Sequence, residues 1–233
     1  MSPLQWRIGV AAVLIAAVLL AGLVVRRRYR ACYSFALYLI AVVVADSLIL
    51  ASPDRFHQWG FWILKETVHS LLKFAIALEL ALRTLQGFPG ARATARGVVL
   101  LVLLLALAGL LAEPLEGSAT LDELVSRLHP LILNAAIWLF TAIAAVILWY
   151  RLPVDAFHKA ILIGFVPYLL VFTVAINALA SVGRQFDTLV GYVHAVAYLL
   201  LLVYWTYAAW RPLEAPFRAA PARHAAQPLR PPA

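Results

Sequence analysis

The sequence predicts an all-α membrane protein: a bundle of seven transmembrane helices, with the N-terminus outside and the C-terminus inside. Three observations carry that expectation. Of 233 residues, 64% are hydrophobic and only 13% charged, too little polar surface for a water-soluble domain of this length. The apolar residues gather near 8–25, 33–52, 59–82, 97–112, 129–149, 160–181 and 189–209, each close to the roughly 20 residues that cross a bilayer as a helix. When these stretches are threaded through a membrane, arginine and lysine collect on one side of it.

The first stretch reads as an uncleaved span. A signal peptide carries its charges before the apolar run and ends in small residues, whereas here Arg26, Arg27 and Arg28 follow the run. Span two opens beside Cys32, the single cysteine, which excludes an internal disulfide and a thiol-built metal site. The fourth span is short and suits a locally thinned bilayer. In the outer segment at 113–128, Thr120 and Glu123 have capping-box spacing, and Leu121, Leu124, Val125 and Leu128 follow at helical intervals. That pattern predicts a short amphipathic connector lying in the interface. Pro167 is expected to kink span six. Residues 1–210 thus form the transmembrane domain. The tail at 211–233, rich in Pro, Ala and Arg and without apolar periodicity, is expected to be disordered, cytoplasmic and drawn to anionic headgroups.

Orientation follows from charge. With the N-terminus outside, the inner side holds Arg26, Arg27, Arg28, Arg30, Arg83, Arg92, Arg96, Arg151, Lys159, Arg211, Arg218, Arg223 and Arg230. The outer side holds Arg7, Arg55, Arg127 and Arg184. This is the positive-inside asymmetry, so the net charge of +8 is a topology signal, and no motif points to nucleic acid. Trp6, Trp59 and Trp62 mark the outer interface, and Trp149, Tyr150, Trp205, Tyr207 and Trp210 the inner one.

Span three departs from its aliphatic neighbours. It carries Lys65, Glu66, His69, Lys73 and Glu79, which fall within an arc of about 140° on a helix. Facing lipid, each charge would cost about 2.5–3.5 kcal/mol, so the stripe is expected to face inward. Helical spacing pairs Glu66 with His69, and His69 with Lys65 and Lys73. Glu79 and Lys65, nearest the span ends, are placed to snorkel. The formal charges cancel with His69 neutral, which also suits a structural ion-pair lock.

Counting depth at about 1.5 Å per residue puts Asp46, Glu66, His69, Asn134, Asn177 and His194 in the outer half of the membrane. Together with Lys73 they form the candidate ligand pocket. Asn134, Thr141, Thr173, Asn177 and Tyr198 also suit interhelical hydrogen bonding. Three functional classes meet these residues. A non-enzymatic sensory or accessory module comes first; it binds in the outer-leaflet pocket, needs no cofactor and takes its output from a cytoplasmic or membrane partner protein. A proton- or ion-coupled transporter comes second, using Asp46, Glu66, His69 and Lys73 as a relay, although no inverted repeat accompanies them. An intramembrane metal or haem enzyme comes third, with His69 and His194 as candidate ligands. Span seven contains no lysine for a retinal Schiff base. It also lacks the second histidine of the seven-span ceramidase and progestin-receptor-like hydrolases, reading His194-Ala-Val-Ala-Tyr198.

Arg28-Tyr29-Arg30 stands before span two, Trp62…Glu66 and Phe74…Glu79 within span three, Arg83 and Phe88-Pro89 after it, and Tyr198…Trp205…Tyr207 in span seven. On these residues the chain resembles a set of bacterial seven-span integral membrane proteins with no assigned activity. The resemblance implies a multi-pass protein of a bacterial inner membrane and no catalytic residues.

Overall fold

The computed structural model describes residues 3–56, 58–86, 135–147, 149, 154–182 and 187–212, and among these every regular element is helical. The helices are α1 (Pro3–Val25), α2 (Tyr33–Ala51), α3 (Pro53–Phe56), α4 (Trp59–Gln86), α5 (Ala135–Ile147), α6 (Ala156–Val182) and α7 (Asp187–Trp210), with a 3-10 turn at Arg28–Ala31. Four are long and apolar enough to cross a bilayer, over Leu4–Val25, Tyr33–Ala51, Ala156–Val174 and Val190–Trp210. α4 coincides with the charged third stretch. The expected fourth span, the connector at 113–128 and the tail from 213 onward lie outside the described residues.

Local chemistry sets the helix ends. α1 stops where Arg27 adopts a left-handed conformation (φ 53°), which breaks the helical ladder and reverses the chain. α3 begins on Pro53, whose fixed φ suits a first helical position. α6 starts at Ala156, ahead of the expected 160, because Asp155 caps it: Oδ1 accepts the N–H groups of Phe157 (2.8 Å) and His158 (3.3 Å). Pro167 lies inside α6, which runs through it as one helix.

α1 buries Ala12, Ala16, Leu19 and Leu23, and α2 buries Phe35, Tyr38, Leu39 and Val42, each set one helical stripe. Around the bundle α4 packs on α2, α2 on α1, α1 on α7, and α7 on α6. α6 is the most enclosed, with 50% of its span buried against 22% for each of the other three. The outward faces are apolar: Leu14, Leu64, Trp138, Val174 and Leu200 are all exposed, as a lipid solvent requires.

Two tryptophans pin α7. Trp205 Nε1 donates to the Ala160 carbonyl of α6 and Trp210 Nε1 to the Val18 carbonyl of α1, each at 3.1 Å. Gly164 and Gly22 leave room for the two indoles. Trp210 stays partly exposed, but Trp205 is fully buried and so leaves the interfacial belt the sequence suggested. It sits edge-on to Phe35 (4.9 Å between centroids) and against Phe165 (4.6 Å), which stacks on Phe140 of α5 (4.9 Å). This aromatic layer joins α2, α5, α6 and α7, and the polar cluster begins directly beside it.

Candidate functional site

Tyr38 forms the boundary, touching Phe165 of the aromatic layer on one side and His69 on the other (ring centroids 5.8 and 5.7 Å). His69 and Lys73 are presented by α4 one turn apart, and both are buried, at 6% and 5% exposure. Lys73 Nζ lies 5.8 Å from the centroid of the Phe172 ring of α6, within cation–π range. Facing them, Tyr168 Oη of α6 and His194 Nε2 of α7 are hydrogen-bonded at 2.8 Å. His194 also packs on Phe172 (4.9 Å), and Tyr198 on Tyr168 (5.8 Å). Glu66 lies within electrostatic range of Tyr38, His69, Lys73, Tyr168, His194 and Tyr198. At the margin of the group, Lys65 Nζ and Asp46 Oδ1 form an ion pair of 2.8 Å between α4 and α2.

The geometry therefore gathers Asp46, Glu66, His69, Lys73 and His194. Asn134 lies outside the described residues, and Asn177 falls in α6 with its side chain outside them. Tyr38, Tyr168 and Phe172 join the group without having been singled out in the sequence. Their signal was faint: hydroxyl-bearing or aromatic rings in aliphatic spans, Tyr38 about two turns before Asp46.

Two buried atoms of the cluster have no hydrogen-bond partner among the described residues, His69 Nε2 and Tyr198 Oη. The Tyr38 and Tyr198 phenols approach each other, but not in bonding geometry for Tyr198 Oη. Nor does Glu66 or Lys73 close an ion pair within this group. The neighbour pairs expected along α4 are thus not the bonds that form, since its side chains reach across to α2 and α6. On the helical wheel the buried side of α4, from Ile76 to Ile63 and Ala81, is turned by roughly 60° from the centre of the charged stripe. His69 and Lys73 fall inside that arc, while Lys65 and Glu79 fall at its edge.

The edge position decides what Glu79 does. α2 begins on Cys32 without a side-chain cap of its own, so its first N–H groups need acceptors. Glu79 supplies them from α4: Oε1 accepts the Tyr33 N–H (3.0 Å) and Oε2 the Ser34 N–H (2.8 Å). Arg83 holds the carboxylate from Nε (2.9 Å) and Nη2 (2.7 Å) and donates from Nη1 to the Arg30 carbonyl (2.7 Å). Glu79 therefore caps a neighbouring helix instead of snorkelling, and Lys65 pairs instead of snorkelling. The same end is closed by Arg28, whose Nη2 donates to the Arg211 carbonyl (2.5 Å) above the Phe157 ring, and by Thr84 against His158 (3.1 Å). Burial, and then the Glu79 charge, push the Cys32 thiol well above its ordinary range.

Among the described residues no three of His, Cys, Asp and Glu are grouped to hold a metal ion. Comparison with known proteins yields no match: no family model, curated sequence or solved structure is similar to the chain.

Proposed function

We propose that the chain is a seven-span protein of a bacterial inner membrane, N-terminus outside, working as a non-enzymatic sensory or accessory module. Its ligand site is the cluster of Glu66, His69, Lys73, Tyr168, His194 and Tyr198, and a cytoplasmic or membrane partner carries the output. One observation supports this above all. His69 Nε2 and Tyr198 Oη, on helices α4 and α7, are both buried and both without a partner among the described residues, beside a buried Lys73. Leaving such groups unsatisfied costs about 1–3 kcal/mol each. A bundle that needed only glue would close those bonds, whereas a binding site keeps them open for a ligand. The grouping of Arg26, Arg27, Arg30, Arg83, Lys159 and Arg211 toward one end supports the inside assignment of that end.

The sign of a stability change tests the reading. In ligand-free protein, His69→Leu with Tyr198→Phe raises the melting temperature if the cluster is held open for a ligand. A fall in melting temperature identifies a structural network instead. Proton- or ion-coupled transport is the second reading. It is favoured by the succession of proton-exchanging groups Glu66, His69, Tyr168 and His194 on facing helices, and gradient-driven flux in proteoliposomes distinguishes it.

A further inference from the structure

We infer that the cluster takes an uncharged, lipid-soluble compound of the quinone class, its carbonyl oxygens held by Lys73, His69 and Tyr198. The inference rests on the ligand-site reading above and names the ligand. Three features lead to it.

The first is the kind of hydrogen bond left open. Lys73 carries only donors; its ammonium meets the face of Phe172 and closes no ion pair with Glu66. Tyr198 Oη can donate, and His69 Nε2 donates in the tautomer that carries its proton there. The site asks for acceptors. Because His69 and Lys73 stand on α4 and Tyr198 on α7, a ligand with more than one acceptor would bridge two helices.

The second is charge. Asp46 and Glu66 balance Lys65 and Lys73, so the group is formally neutral with both histidines neutral. A carboxylate or phosphate entering this poorly solvated region would meet Lys73 but also Glu66, and would leave a net charge in low dielectric. An uncharged carbonyl accepts the same hydrogen bonds without that cost.

The third is the wall. Tyr38 packs edge-to-face with His69, Tyr168 lies tilted against His194, and Phe172 turns its face to Lys73, an aromatic lining that suits a flat conjugated ring. The residues lie along helices whose outward faces are apolar, so a ligand arriving from the bilayer would be hydrophobic. A planar ring with carbonyls on opposite edges and an apolar tail meets all three conditions.

The test uses the full chain in phosphatidylcholine nanodiscs, with decylubiquinone as probe in equilibrium dialysis and decanoate as anionic competitor. Saturable binding near one quinone per chain is expected. It should be at least tenfold weaker in both Tyr198→Phe and His69→Leu, unchanged in Gly191→Ala, and insensitive to decanoate. Tyr198→Phe removes a hydroxyl that lies beside the Tyr38 phenol but makes no hydrogen bond of good geometry among the described residues, so it tests binding with little cost to folding. Quinone uptake that is unsaturable and equal in all proteins overturns the proposal. So does displacement by decanoate. If decanoate itself binds saturably and the variants lose it, the ligand class is wrong and the site reading stands. If neither probe distinguishes the variants and their ligand-free melting temperatures fall, the site reading falls with it.

Discussion

Asp46 and Lys65 meet at 2.8 Å across the α2–α4 contact, each side chain about a fifth exposed (24% and 17%). The pairing fixes the register of α4 against α2 next to the cluster, and it takes Asp46 out of the groups free to meet a ligand. At this partial burial the pair is worth more than a surface bridge and less than a fully buried one. Asp46→Asn and Lys65→Met should each cost about 1–3 kcal/mol. The double change should recover a large part of that loss, because neither charge is then stranded. A double-mutant cycle by denaturant unfolding in detergent measures the coupling, and strict additivity would show that the pair contributes nothing.

Among the described residues Glu79 is the most heavily used carboxylate, capping α2 from a different helix while Arg83 holds it. Glu79→Ala removes acceptors from two backbone N–H groups and leaves Arg83 with the Arg30 carbonyl alone as hydrogen-bond acceptor among the described residues, so a loss of about 2–4 kcal/mol is expected. Glu79→Asp should restore little, since a side chain shorter by one methylene cannot reach both N–H groups at 2.8–3.0 Å. Thermal unfolding of the two variants checks both statements.

Cys32 gives a reporter for the same clamp. Its thiol is buried and faces the Glu79 carboxylate (3.4 Å), and both effects hold the proton on sulfur. A neutral-pH maleimide should therefore leave Cys32 unlabelled in the folded protein and label it on unfolding or in Glu79→Ala. The sign for stability follows. The folded thiol keeps its proton to higher pH than the unfolded one, so this contribution is intact below the ordinary value of 9.0 and is lost as pH rises above it. Rapid labelling of the native protein at pH 7 would contradict the clamp.

How much of this was legible in the sequence depends on whether the cause is local. The helices at α1, α2, α6 and α7 follow from long apolar runs and α4 from an apolar run whose charges keep to one face, and the inward turn of His69 and Lys73 follows from the cost of charge against lipid. Cross-helix partners do not follow. Spacing along α4 offers His69 its own neighbours Glu66 and Lys73, but α2 also packs Tyr38 against its ring, and only tertiary packing decides that. Glu79 looked like an interfacial group because nothing on α4 reveals that α2 begins without a cap. Trp205 looked interfacial by position, yet Gly164 opens a slot on α6 that takes the whole indole. The depth count brought Asp46, Glu66, His69 and His194 to one region because depth needs only the helix rise. It could not separate Asp46, already paired, from His69, whose Nε2 has no partner among the described residues.

That slot yields the sharpest prediction on packing. A Cβ at Gly164 would collide with Trp205 Nε1 and Leu201 Cδ1, and one at Gly22 would come within 2.6 Å of Trp210 Nε1. The two collisions differ in what can give way. Trp205 is fully buried among Phe35 and Phe165, whereas Trp210 is 39% exposed at a helix end and can swing outward. Gly164→Ala should therefore cost about 1–3 kcal/mol as overpacking, and Gly22→Ala less. At Gly60 and Gly191 an added Cβ meets nothing within 4 Å, so there Ala should be neutral or stabilise by up to about 1 kcal/mol through helix propensity. Measured in one unfolding series, the order Gly164→Ala, Gly22→Ala, Gly191→Ala from most to least destabilising is the expected result. Equal effects at Gly164 and Gly191 would mean that Trp205 is not seated against α6 beside the polar cluster.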